Sequence, residues 1–370
     1  MAFGNVAVLA SAQTEFRPKW GGAQHIDLIS SVVTNVFKGT GLTLDDVDFV
    51  IDSGSDVLDG RSISNCGFLG ALGAHHKEEA RVEEDGLWSA LYGVNKIRSG
   101  ASAIGLIVAY SKSSEMCNVE DYWSSQCEPF YQRPVGFSQR AANGIMAQRY
   151  LAANGVGERD LAEIVARRWA DAAEYGDVSI DAVPDADAVL ASGGGATPLT
   201  ELMLSRPVDG AVALLLSTEA IARRSSSAPV FVTGMGSGMN SHAFASRSQN
   251  RLSSCEAAAK MAYKKAGWEG PKADIAEVSA SSVVSELMVL EALGLGKGLA
   301  VANDGKVVVN RSGGALPADP IMATGLVRLA NAAKQLSQPK LYGSGSPSRA
   351  IVHGAGGIAM QNNCVFTLEV

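Results

Sequence analysis

The sequence predicts an α/β protein of two similar halves with a long insertion between them. Three observations carry that prediction. An order of strand, helix, glycine stop and aspartate-led strand occurs once near the start and again past the middle. The stretch from about 116 to 207 follows neither copy. The 370 residues are 46% hydrophobic and 19% charged, a balance that lets a chain of this length bury a large core.

Taken in order, Asn5-Val-Ala-Val-Leu-Ala-Ser11 is a short apolar run, read as a buried strand. Helical spacing follows over 26–37, then Gly39 and Gly41, then an aspartate-led strand over 44–51. Residues 81–100 open with Arg81-Val-Glu-Glu-Asp-Gly-Leu87 and continue as a helix, and the apolar run 103–110 reads as a strand. The insertion holds an aromatic-rich irregular part (Tyr122, Trp123, Phe130, Tyr131), helical patterns over 140–154 and 158–175, and a turn at Gly193-Gly-Gly195. An excursion of that length from a compact core reads as a lid or binding region. The strand 210–217 returns to the core. In the second copy, 228–236 is the strand, 256–266 the helix, Gly267 its stop and 273–278 the aspartate-led strand. Gly234-Met-Gly-Ser-Gly238 lacks the third glycine of a dinucleotide fingerprint and the Lys-Ser/Thr of a phosphate loop, so it reads as a turn at a strand end. The halves divide as 1–225, insertion included, and 226–370.

Composition excludes several classes. A net charge of −7 offers no basic surface for nucleic acid. No apolar run approaches the roughly 18 residues of a membrane span, and the first residues lack the basic-then-apolar pattern of a signal peptide. Five cysteines (66, 117, 127, 255, 364), an odd number without a Cys-x-x-Cys pair, argue against a disulfide framework and against a metal site in this chain. A reducing cytoplasm is the expected compartment, and no bound cofactor is expected.

The residues able to do chemistry are few. Glu83, Glu84 and Asp85 form a carboxylate run before the helix at Gly86. Asp85 and Asp319, before Gly86 and Pro320, both suit helix-start caps as well as acid–base roles. His353 stands among glycines after an apolar run; it suits either a turn or proton transfer. Cys66 looks like a nucleophile locally, but a buried structural thiol is the better reading.

Four blocks, 82–115, 207–222, 310–332 and 350–369, together resemble the thiolase superfamily, in particular its sterol-carrier or lipid-transfer branch. The Glu83-x-Asp-Gly-x-Trp88 pattern and the closing His353-Gly-x-Gly-Gly357 and Gln361-Asn-Asn-Cys-Val-Phe-Thr-Leu-Glu369 carry it most directly. The resemblance implies a five-layer α/β/α/β/α thiolase fold with its site between the halves, an acyl-CoA substrate, and a homodimer or a heteromeric thiolase-like dimer. It also implies a small partner with a zinc ribbon and an oligonucleotide-binding-like barrel. In the family a cysteine forms the acyl-enzyme, a Gly-His-Pro histidine activates it and a second cysteine moves the α-proton. The matching positions here are Glu83, Asp319 and His353. The family's oxyanion element falls on Ser279-Ala-Ser-Ser-Val283. The implied catalytic set is therefore His353, Glu83, Asp319 and Asp85. The implied substrate contacts are Gly313, Gly314, Gly356, Gly357, Ser279 and Tyr131, with no metal. Carboxylates and an imidazole suit proton transfer, which fits retro-aldol cleavage of a β-hydroxyacyl-CoA carrying a steroid side chain or other bulky acyl group. Two alternatives stand beside it: acyl transfer with a relocated nucleophile such as Cys66, and a non-catalytic subunit of a complex.

Overall fold

A computed structural model describes residues 5–60, 62–226, 228–342 and 345–370. The signal-peptide expectation falls largely on residues 1–4, outside the described residues. The strands are β1 (Val6–Gln13), β2 (Phe49–Ser53), β3 (Glu78–Val82), β4 (Ile104–Ser111), β5 (Gly210–Thr218), β6 (Val230–Met239), β7 (Ile275–Val278), β8 (Val308–Val309), β9 (Arg349–Gly356) and β10 (Asn362–Glu369).

Their order across the sheet is β3-β2-β4-β5-β1-β6-β10-β9-β7-β8. Read outward from the centre, each half has the same plan. In the first half β2 runs parallel to β3 and β4, and β5 is antiparallel to β4 and β1. In the second, β7 runs parallel to β8 and β9, and β10 is antiparallel to β9 and β6. The halves join where Val6–Val8 pairs antiparallel with Val230–Val232. The duplicated pattern in the sequence is therefore duplicated topology, and the boundary expected at 225/226 falls between the helix Glu219–Ser225 and β6.

The helices Gly86–Arg98 and Thr324–Ser337 lie between the half-sheets. Leu87, Ala90 and Val94 of the first share one core with Leu326 and Leu329 of the second, with Ile107 and Leu214 of one half-sheet and Val352 and Phe366 of the other. Helix His25–Val36 covers the outer face of the first half-sheet. Ser253–Ala266 and Val283–Ala292 pack outside the second. Strand β5 shows why these strands read as unbroken apolar runs: Ala211, Ala213 and Leu215 face the outer core while Val212, Leu214 and Leu216 face the central one. The result is an α/β/α/β/α stack.

Three local expectations change. Gly234–Gly238 is not a turn; it lies inside β6. Its glycines face the helix Ser253–Ala266, where a Cβ would overlap the carbonyls of Ala262 and Ala258 and reach 2.5 Å from that of Ser254. Close approach of helix to strand, not chain reversal, requires them. The strand expected from 44 begins at Phe49, because Thr43 and Asp46 cap a single turn over Leu44–Asp46 through an Asp46 bond to the Thr43 N–H at 2.8 Å. The insertion is more than a lid: its helices Gln139–Asn154 and Glu158–Tyr175 pack Met146, Tyr150, Leu161 and Ile164 into the core of the second half with Val284 and Leu287.

Candidate active site

The central helices begin close together, and Asp85 pins the two starts. Its carboxylate accepts the Leu87 N–H at 3.0 Å, capping its own helix, and the Gly325 N–H at 2.8 Å on the first turn of the other. Gly325 and Gly354 make room for it; a Cβ at 354 would stand 2.8 Å from Oδ1, and one at 325 would overlap it. Burial pushes the Asp85 carboxyl up to about 7 against the pull of both N–H groups, and the charges of Glu84 and Asp319 act in the same direction as burial.

Glu84 turns inward from the loop after β3. The Asn362 side-chain amide donates to Oε2 at 2.7 Å, and Oε1 lies against Gly356. Asp319 accepts the Thr324 hydroxyl at 2.6 Å and the Ser205 hydroxyl at 2.7 Å, while its backbone N–H bonds Arg206 at 2.8 Å and ties the end of the insertion to the second half. Burial raises both the Glu84 and the Asp319 carboxyls above the usual range, against those hydrogen bonds.

These carboxylates border one cavity of about 370 Å³, together with Ser279, Gly356 and Gly357. Apolar walls come from the insertion (Tyr122, Trp123, Trp169, Leu204) and from the second half (Ile321, Met322). At the exposed rim Arg140 binds Glu201 through both terminal nitrogens and lies 3.4 Å from Glu120. Among the described residues, no cysteine or histidine lines this cavity. No group of three His, Cys, Asp or Glu there could hold a metal, and no helix there is long and apolar enough to cross a membrane.

The structure thus brings together Asp85, Asp319, Ser279, Gly356 and Gly357, and leaves five of the expected positions elsewhere. Glu83 points outward, where its carboxylate lies 3.3 Å from Arg81 and accepts the Asp56 N–H at 3.0 Å. Adjacent residues leaving a strand face opposite sides, so a carboxylate one position later reaches the cavity. His353 is 0% exposed in β9. Its Nε2 meets Asn363 Oδ1 at 2.8 Å and its Nδ1 the Ser279 carbonyl at 3.2 Å, and burial lowers its pKa to about 4. Gly313 and Gly314 shape the loop after Asn310, with φ of +93° and +69°. Tyr131 is 81% exposed, away from the cavity, whereas Tyr122 of the same aromatic group is buried in its wall. Thr324 and Ser205 were not foreseen; Thr324 follows Asp319 by five residues, but no spacing links Ser205 to it.

Residues 236–368 match the family described as thiolase C-terminal domain-like. Over 358 residues the chain is 25% identical to acetyl-CoA acetyltransferase of Methanocaldococcus jannaschii, covering 91% of each. Among solved structures, the Ltp2-ChsH2(DUF35) aldolase superposes with a TM-score of 0.83 at 17% identity, over 99% of this chain and 98% of that one. Human mitochondrial 3-ketoacyl-CoA thiolase superposes with 0.76 at 15% identity over 100% of both chains. The chain has the thiolase fold. A monomeric SCP2-thiolase like protein of Mycobacterium smegmatis superposes with a TM-score of 0.74 at 16% identity, over 98% of this chain and 77% of that one. Of the free thiols, Cys66 is exposed, not the buried structural thiol expected, and Cys117 is exposed too, while Cys127, Cys255 and Cys364 are buried.

Proposed function

We propose that this protein cleaves a carbon–carbon bond beside a CoA thioester by proton transfer, as a retro-aldolase of β-hydroxyacyl-CoA. The observation that carries the reading is the set of three carboxylates with raised pKa, Glu84, Asp85 and Asp319, around one cavity whose described lining holds no thiol or imidazole. A base removes the β-hydroxyl proton and the oxygen becomes a carbonyl. The Cα–Cβ bonding electrons pass into the thioester, and the enolate takes a proton back at Cα. Proton count is conserved and no acyl-enzyme is needed. Ser279 lines the cavity, and its buried hydroxyl has no hydrogen-bond partner among the described residues. The aromatic and aliphatic walls suit a bulky apolar acyl group, a steroid side chain included. Asp85 and Asp319 also hold helix starts and the insertion in place, but Glu84 is buried at the cavity against a desolvation cost that a non-catalytic subunit has less reason to carry.

The reading includes a cytoplasmic enzyme that assembles with a thiolase-like copy and a small zinc-ribbon accessory chain. The Ltp2-ChsH2(DUF35) aldolase, with its DUF35 component, supports a heteromeric assembly. The test is incubation of the protein, with the chains that co-purify, and 3-hydroxy-3-phenylpropionyl-CoA. Benzaldehyde and acetyl-CoA should form in equal amounts without added CoA. Absence of benzaldehyde, with conversion of 3-oxo-3-phenylpropionyl-CoA and free CoA to benzoyl-CoA and acetyl-CoA through an acyl adduct on a cysteine, would establish acyl transfer instead, the reading that the acetyltransferase relative favours.

A further inference from the structure

The three carboxylates differ in how their oxygens are engaged. Asp85 commits both to backbone N–H groups, and Asp319 both to hydroxyls. Glu84 commits Oε2 to the Asn362 amide, but among the described residues Oε1 has only the N–H of its neighbour Asp85, at 3.3 Å, the long edge of hydrogen bonding. Oε1 can sit there because residue 356 is glycine: a methyl group at that position would overlap it. Asn362 and Gly356 are directly opposite each other on β10 and β9, so one cross-strand pair supplies both the donor that holds the carboxylate and the notch that receives it. The Ser53 hydroxyl bonds the Glu84 carbonyl and fixes the backbone beneath.

We propose that Glu84 is the base that takes the β-hydroxyl proton, with Asn362 as its positioning residue. The assignment rests on the aldolase reading above. Glu84 accepts the proton as the Cα–Cβ bond breaks, and the enolate carbon takes that proton back, so no co-reactant enters.

The experiment measures benzaldehyde release from 3-hydroxy-3-phenylpropionyl-CoA across pH by the protein as isolated with its co-purifying chains. Glu84→Gln, which preserves shape and the Asn362 contact region, should lower kcat by roughly 10²–10⁴-fold with KM little changed. Gly356→Ala should lower it similarly, and the double variant should be no worse than either single one, since both remove the same group. In the wild type kcat should fall with acid through the raised Glu84 pKa. Asn362→Ala should shift that acid limb upward, because the amide bond now lowers the Glu84 pKa; a purely structural loss would leave the limb in place. If Gly356→Ala does not fold, Glu84→Gln still decides. Cleavage by Glu84→Gln at the wild-type rate would overturn the assignment of Glu84 alone. A wild type that forms no benzaldehyde but, with free CoA, converts 3-oxo-3-phenylpropionyl-CoA to benzoyl-CoA and acetyl-CoA would overturn the reaction, and the assignment with it.

Discussion

Glu83 and Glu84 are the same residue type in adjacent positions, and only their surroundings separate them. One carboxylate is solvated beside Arg81; the other is buried beside Asn362 at the cavity. Glu83→Ala should therefore change kcat less than about two-fold, the usual scale for a surface site, in the same benzaldehyde assay that Glu84→Gln disables. His353 carries a different prediction. Burial lowers its pKa from 6.5 to about 4, so the unfolded chain binds a proton at higher pH than the folded one does. The neutral imidazole's contribution to stability is complete above about pH 6.5 and is lost as pH falls through that value toward 4. The raised Asp85, Glu84 and Asp319 carboxyls act with the opposite sign as pH falls, so the imidazole is read as a difference: urea unfolding at stepped pH should show His353→Gln losing less stability, or gaining more, than the wild type across this window, by up to one proton in slope and on the order of a few kcal/mol in total. An unchanged slope in the variant would mean that another group sets it.

Among the elements, β6 shows most clearly where sequence reading stops. Its glycines recur at 234, 236 and 238, a period of two that belongs to one face of a strand. Read locally they look like turn residues. They are there because a helix backbone from another part of the chain lies against that face, which no local pattern reveals. Gly236→Ala would drive a methyl group into the Ala258 carbonyl and to 2.7 Å from Met261 Cβ, and should cost about 1–3 kcal/mol. Calorimetry would register this as a lower Tm; an unchanged Tm would mean that helix and strand separate easily. The same distinction runs through the site. Asp85 was legible because a cap is local, whereas the helix expected to start at Asp319-Pro320 begins at Thr324, after Ala323. The choice of Glu84 over Glu83, and the Ser205 bond to Asp319, depend on the side of a loop and on a contact over more than a hundred residues.

For the whole molecule, duplication was legible because each half repeats the order of its elements, and that order fixes the sheet plan. The cavity was not, because it is assembled from three sources: the two helix starts, the end of β9 and the inserted helices. The symmetric halves supply the carboxylates, and the asymmetric insertion supplies most of the apolar wall. On the aldolase proposal, chemistry and acyl-group preference belong to different parts of the chain and should be separable by mutation. Leu204 is buried in that wall, joined through the Leu204–Ser282 bridge to the segment that carries Ser279. Leu204→Phe adds volume to the wall without touching a carboxylate. It should lower kcat/KM for 3-hydroxy-3-phenylpropionyl-CoA by about ten-fold or more, the scale of a methylene-sized change in a fitted pocket. Cleavage of 3-hydroxybutyryl-CoA, with a methyl in place of the phenyl, should change far less. Measured side by side on the two thioesters, an equal loss on both would show that the insertion shapes the catalytic groups themselves and not only the space for the acyl chain.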